Sequence, residues 1–205
     1  MRSILLALCL TLGGLALGGC LSRTVAEPIR YFHPELPHEA AAAPARPARP
    51  EPDQKPDPVT LRLRRVGAAA YLKDRLARRT SDVEVTFADL VRWTEPPVAY
   101  LEHALTRELF EARGLARTES TGGLRLDVEL RAFDETLESP RSATVAIWAS
   151  LVEGDAPRFE RTFEAKSVLA TDDPAALARG MGIALDDAVR QLGQAVDETI
   201  RRSRK

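Results

Sequence analysis

The chain has 205 residues, 29 Lys+Arg against 30 Asp+Glu, 44% hydrophobic residues and 5% aromatics, which excludes a wholly disordered chain and a polytopic membrane protein. A net charge of -1 leaves no cationic excess for tracking a phosphate backbone, so no nucleic-acid partner is expected. Cys9 and Cys20 are the whole cysteine inventory, so neither a disulfide framework nor a cysteine-based metal site is expected beyond residue 20.

Arg2 and the apolar run Ile4 to Leu17 are too short for a comfortable membrane span and read as a secretory signal peptide over residues 1–19. The run ends in Leu17-Gly18-Gly19-Cys20, which resembles a bacterial lipobox: an aliphatic residue three before the cysteine, two small residues that fit the peptidase, then the thiol to be acylated. Cys20 would then carry an N-acyl diacylglyceryl group as the lipid anchor, with about 0.8 kcal/mol of membrane affinity per buried methylene. The alternatives are an ordinary secretory signal that contains a cysteine by chance, or a buried apolar segment. Leu21, rather than aspartate, follows the cysteine, which by general sorting convention points to the periplasmic face of the outer membrane.

Residues 20–58 read as the lipidated cysteine followed by a disordered tether, because Leu21 to Pro58 holds nine of the fourteen prolines and the run Ala40 to Ala43. Its 38 residues would span roughly 120 Å as polyproline II or roughly 35 Å as a flexible coil. Ile29, Tyr31 and Phe32 form an apolar island in it, either docking on the folded domain or a partner, or lying in a solvated arm.

Residues 59–205 are expected to form one domain. Leu61 to Val66 and Val83 to Phe87 alternate as strands. Thr94-Glu95-Pro96-Pro97 starts a helix carrying Val98, Leu101, Leu105 and Leu109, and Gly114 suits its C-terminal cap. Leu124 to Arg131 alternates strictly, and Ala143 to Val152 is apolar on both faces around Trp148. Arg158 to Val168 is its hairpin partner across Glu153 to Pro157. Asp173-Pro174 caps a last helix striped by Leu177, Met181, Leu185, Val189, Leu192, Val196 and Ile200. The expected architecture is α+β, a two-layer sandwich of a mostly antiparallel sheet with both helices on one face.

No chemistry assembles from these residues. His33, His38 and His103 have no metal or triad spacing, and no Gly-x-Ser-x-Gly or Ser-x-x-Lys pattern occurs in the folded region, so an enzyme is not expected. Arg179-Gly180-Met181-Gly182 lacks the third glycine of a dinucleotide loop and lies inside a helix. Gly180, Gly182 and Gly193 each cost about 1 kcal/mol there, which close packing or a kink would explain. The pairs Asp172-Asp173 and Asp186-Asp187 read as caps and solvated faces, and the basic residues from Arg201 to Lys205 as a complement to the helix dipole.

Arg92-Trp93-Thr94-Glu95-Pro96 just before the first helix, with Tyr71-Leu72 and Asp74-Arg75 upstream, resembles the ABC-type transport auxiliary lipoproteins. That family includes the lipoprotein of paraquat-inducible operons and accompanies MCE-domain lipid transporters. The likeness runs through the lipobox and Leu61 to Ile200. Two features depart from the family pattern: a long Pro/Ala insert separates Arg30-Tyr31-Phe32 from the first strand, and Ala69 stands where a proline is common.

The resemblance implies a non-catalytic outer-membrane lipoprotein that docks on a periplasmic MCE-domain protein, itself served by an ABC permease and ATPase, and helps move phospholipid or another hydrophobic molecule between the two membranes. A homo-oligomer would suit a transporter collar. Arg92, Trp93, Glu95 and Tyr71 are the candidate partner interface. Trp93 is either an interface anchor or a core residue closing the helix start. The competing class is a structural or assembly lipoprotein that regulates a cell-wall synthase or barrel-assembly machine without handling lipid.

Overall fold

The computed structural model describes residues 27–37, 59–120 and 122–203. The lipobox residues Leu17, Gly18, Gly19 and Cys20 and the Pro/Ala-rich stretch from His38 to Pro58 lie outside the described residues.

In chain order the elements are β1 (Arg30–Phe32), β2 (Thr60–Ala68), β3 (Arg75–Ser81), β4 (Glu84–Trp93), α1 (Pro97–Thr106) continued by a π-helical segment Arg107–Ala112, β5 (Ala116–Arg117), β6 (Leu124–Thr136), β7 (Ser142–Glu153), β8 (Ala156–Val168) and α2 (Pro174–Ser203). Among the described residues this is an α+β fold with an eight-stranded sheet and two helices.

The strict alternation of β6 puts Leu126, Val128 and Leu130 on one face, opposite Leu151, Ala149 and Ile147 of β7. All six are buried, and α1 packs over β2 and β6 while α2 packs over β7 and β8. A single core cluster therefore fills the space between sheet and helices, extended by Leu101, Leu105 and Leu109 from α1 and by Leu177, Met181, Leu185 and Leu192 from α2. Gly154, with φ +59, makes the tight β7–β8 turn, and Asp173 caps α2 by accepting from the Ala175 amide at 3.3 Å.

The sheet is mixed, and its two longest ladders are antiparallel. β3–β4, β6–β7 and β7–β8 are antiparallel, whereas β1–β4, β2–β5, β2–β6 and β3–β6 are parallel. The parallel pairs arise because β6 shares one long edge between two strands. β2 lies beside its first half, from Leu124 to Leu130, and β3 beside its end, from Asp134 to Thr136. β2 and β3 are thus collinear, interrupted by the excursion Ala69 to Asp74. Alternation could not reveal β3, because Arg78 and Arg79 fill half-buried positions in it.

The arm at 27–37 belongs to the domain. β1 extends the sheet beside Val91–Trp93, Leu36 is buried in the core, and the Glu35 amide donates to the Ala178 carbonyl of α2 at 3.4 Å. Of the readings for the apolar island, docking on the folded domain is the one that the structure displays.

Candidate docking site at the β4–α1 junction

The β3–β4 ladder sets Arg75 opposite Arg92 but Ala77 opposite Phe87, so four residues of β4 bulge against one of β3. The bulge frees carbonyls that need donors. Arg92 supplies them: its Nη1 donates to the Ala88 and Val91 carbonyls, both at 2.9 Å, and its Nε lies 3.9 Å from the Asp74 carboxylate. The Asp74 carbonyl in turn accepts from the Trp93 amide at 2.6 Å. The Asp-Arg and Arg-Trp pairs are therefore neighbours in one local network.

Trp93 points into the core and is only 1% exposed. Its ring meets Phe133 edge-on at 5.3 Å and Tyr100 at 6.5 Å, and Tyr100 stacks on Phe133 at 6.4 Å. Its Nε1 finds no acceptor among the described residues. A side chain so placed anchors the helix start from within and offers no surface to a partner. Pro96 brings no capping side chain to α1, and the Tyr100 hydroxyl takes over that role, accepting from the Glu95 amide at 2.9 Å and lying 2.8 Å from Thr94 Oγ1.

Glu95 is exposed, and its carboxylate makes no ion pair among the described residues. Behind it, the Thr94 amide donates to the Phe32 carbonyl at 2.9 Å, tying the junction to the arm.

Tyr71 repairs the gap where β2 gives way to β3. Its hydroxyl lies 3.0 Å from the Arg131 carbonyl, at the register break of β6, and 3.1 Å from the Asp134 carboxylate. Burial, first, and then the Asp134 charge push its pKa up to about 12, with Arg79 opposing. Asp134 is fully buried and binds Arg79 at 2.6 Å. The adjacent Glu135, also buried, binds Arg78 at 2.8 Å and pairs with Arg141, which reaches on to Asp172. Two buried carboxylates beside three arginines satisfy the rule that buried charges are paired.

Of the four candidate interface residues, the structure brings Arg92, Trp93 and Glu95 together at the junction, with only Glu95 presented outward. Tyr71 occupies the preceding loop as an internal plug. Sequence reasoning missed Asp134, Glu135, Arg78 and Arg79, although two acids ending an alternating strand and two adjacent arginines upstream were visible signals. Among the described residues no group of three or more His, Cys, Asp or Glu could hold a metal ion. No helix among them is long and apolar enough to cross a membrane.

Residues 41–193 match a family described as the ABC-type transport auxiliary lipoprotein component. Among solved structures, the chain resembles a Xanthomonas campestris protein of family DUF330 with TM-score 0.67 and 19% identity, covering 85% of this chain and 98% of that one. It also resembles an uncharacterized protein with TM-score 0.61 and 14% identity, covering 83% and 99%. At these identities the likeness establishes the fold. No curated protein matches the chain.

Proposed function

The chain belongs to the ABC-type transport auxiliary lipoprotein components, and from that premise we propose that it is the non-catalytic, outer-membrane-anchored subunit of an MCE/ABC-type intermembrane lipid transport system. Accessory association with an ABC transport system follows from membership; the MCE partner, the membrane and the cargo are the proposal. The observation that carries it is the match across residues 41–193, which takes in both motifs and most of the folded domain.

Acylated Cys20 would hold the protein on the periplasmic face of the outer membrane, more durably than a single acyl chain can. Docking on the periplasmic MCE-domain protein would use the β4–α1 junction. There Glu95 presents an unpaired carboxylate, while Trp93, Arg92 and Tyr71 hold the backbone behind it in place. ATP hydrolysis would belong to a separate subunit serving the permease.

The test is in-cell crosslinking of the tagged full-length lipoprotein, purification from detergent-solubilised envelopes and identification of the attached proteins by mass spectrometry. An MCE-domain protein in stoichiometric amount is expected. Recovery of cell-wall or barrel-assembly proteins alone would overturn the transport role.

A further inference from the structure

We propose that the face built by the docked arm and the start of α2 is the surface that this domain lays on the phospholipid bilayer. The inference rests on acylation of Cys20 in the reading above and adds to it where, and how closely, the domain meets lipid.

The stretch between anchor and domain is short. Cys20 and Arg30 are ten residues apart in the sequence, and ten residues fully extended span at most about 35 Å. Because Arg30 already pairs with Val91, the whole stretch to Pro58 does not separate the domain from the anchor. The segment from His38 to Pro58 joins two points on the domain, Pro37 and Val59, and adds nothing to the tether.

The arm also has a built seat on α2. A Cβ at Gly182 would fall on the Glu35 carbonyl, far inside van der Waals contact. Glycine inside a helix costs about 1 kcal/mol relative to alanine, and here it opens the notch through which the arm crosses α2. Burial of Leu36 fixes the arm beyond the notch.

The exposed large apolar side chains among the described residues are Ile29, Tyr31, Val83, Val168 and Ile183. Ile29 and Tyr31 are on the arm, 47% and 61% exposed, and Ile183 follows the notch glycine directly. Val168 ends β8 on the other face of the sheet, because Ser167 and Leu169 on either side of it both meet α2 at Gly180. Three of the five, Ile29, Tyr31 and Ile183, therefore lie on the arm or beside the notch it crosses. Tyr31 and Arg179 line one shallow depression of about 250 Å³, and Arg179 has no ion-pair partner among the described residues. Apolar side chains, an amphipathic tyrosine and a free guanidinium suit the headgroup layer, where the apolar groups leave water and the cation meets lipid phosphate.

The mature chain would hold no cysteine other than the acylated one, so single labels can be placed cleanly. The experiment uses full-length lipidated protein in phosphatidylethanolamine–phosphatidylglycerol vesicles doped with a lipid bearing a nitroxide on its headgroup. An environment-sensitive fluorophore is attached at Tyr31→Cys or at Asp155→Cys. Asp155 lies in the β7–β8 turn beside the far end of α2, where Ser203 contacts Glu153, about 30 Å along the helix from Gly182. The label at 31 should lose most of its emission and the label at 155 should keep it. Equal quenching at both positions, or none at either, with intact mass confirming acylation, would overturn the contact alone. Absence of the acyl groups, with protein failing to float with the vesicles, would overturn the anchoring and the contact together. Gly182→Leu should abolish the contrast between the two labels while far-ultraviolet circular dichroism stays native. Leu36→Asp, which leaves α2 untouched, should do the same, and a contrast that survives in a folded variant would contradict the role of the arm.

Discussion

Gly182 of α2 and the carbonyl of Glu35 occupy the same notch, one by lacking a side chain and the other by filling the space left. A backbone oxygen cannot swing aside as a flexible side chain can. Gly182→Ala should therefore unseat residues 33–36 while leaving the sheet intact. Hydrogen exchange should show faster exchange at the Glu35 and Thr94 amides, which donate to Ala178 and Phe32, with β6 and β7 unchanged.

The location of Trp93 separates folding from docking. Trp93→Ala removes a ring packed on Phe133 and Tyr100 and should cost about 3–5 kcal/mol, read as a lower denaturation midpoint. Glu95→Gln, at an exposed and unpaired carboxylate, should stay within about 0.5 kcal/mol of the parent and weaken capture of the partner. Equal stability losses in both variants would contradict this division.

The two kinds of carboxylate should also differ. Asp134 is buried against Arg79, so Asp134→Ala leaves a half-buried guanidinium unpaired and should cost about 3 kcal/mol. Asp127 pairs with the largely exposed Arg64, and Asp127→Ala should cost under about 1 kcal/mol. Urea denaturation of both variants checks the contrast.

Tyr71 predicts an alkaline limb. Its folded pKa of about 12 exceeds the ordinary value of 10.0, so the folded state holds the phenolic proton more tightly. The associated stability is fully present below pH 10 and is lost as pH rises towards 12. Allowing for partial exposure, the loss is on the order of 1–2 kcal/mol. Tyr71→Phe should remove that part of the decline, measured as denaturation midpoints between pH 9 and pH 12.

Much of the fold was legible where a single period governs a segment. The alternation of Leu124 to Arg131 and the stripe from Leu177 to Ile200 both mark elements that bury one face, and such elements report their environment directly. β3 was not legible because Arg78 and Arg79 occupy half-buried positions paired with Glu135 and Asp134, a pairing that spans more than fifty residues and leaves no local signal. The parallel ladders were hidden for a related reason: one edge of β6 serves two strands, which no strand pattern encodes. The junction motif was readable as residues, but which of them turns outward was not. Trp93 and Glu95 are two positions apart, and the strand ends at Trp93 while the helix begins only at Pro97. Similarly, Gly182 stood out as costly in a helix, while the arm that explains it lies about 150 residues away in the sequence.

The most direct test of the account places a photo-activatable amino acid at Glu95 in the full-length lipoprotein in living cells and identifies the adducts. The account predicts an adduct with a periplasmic MCE-domain protein, reduced when Gly182→Leu releases the arm beside the junction. Adducts confined to cell-wall or barrel-assembly proteins, with no MCE-domain protein among them, would contradict it.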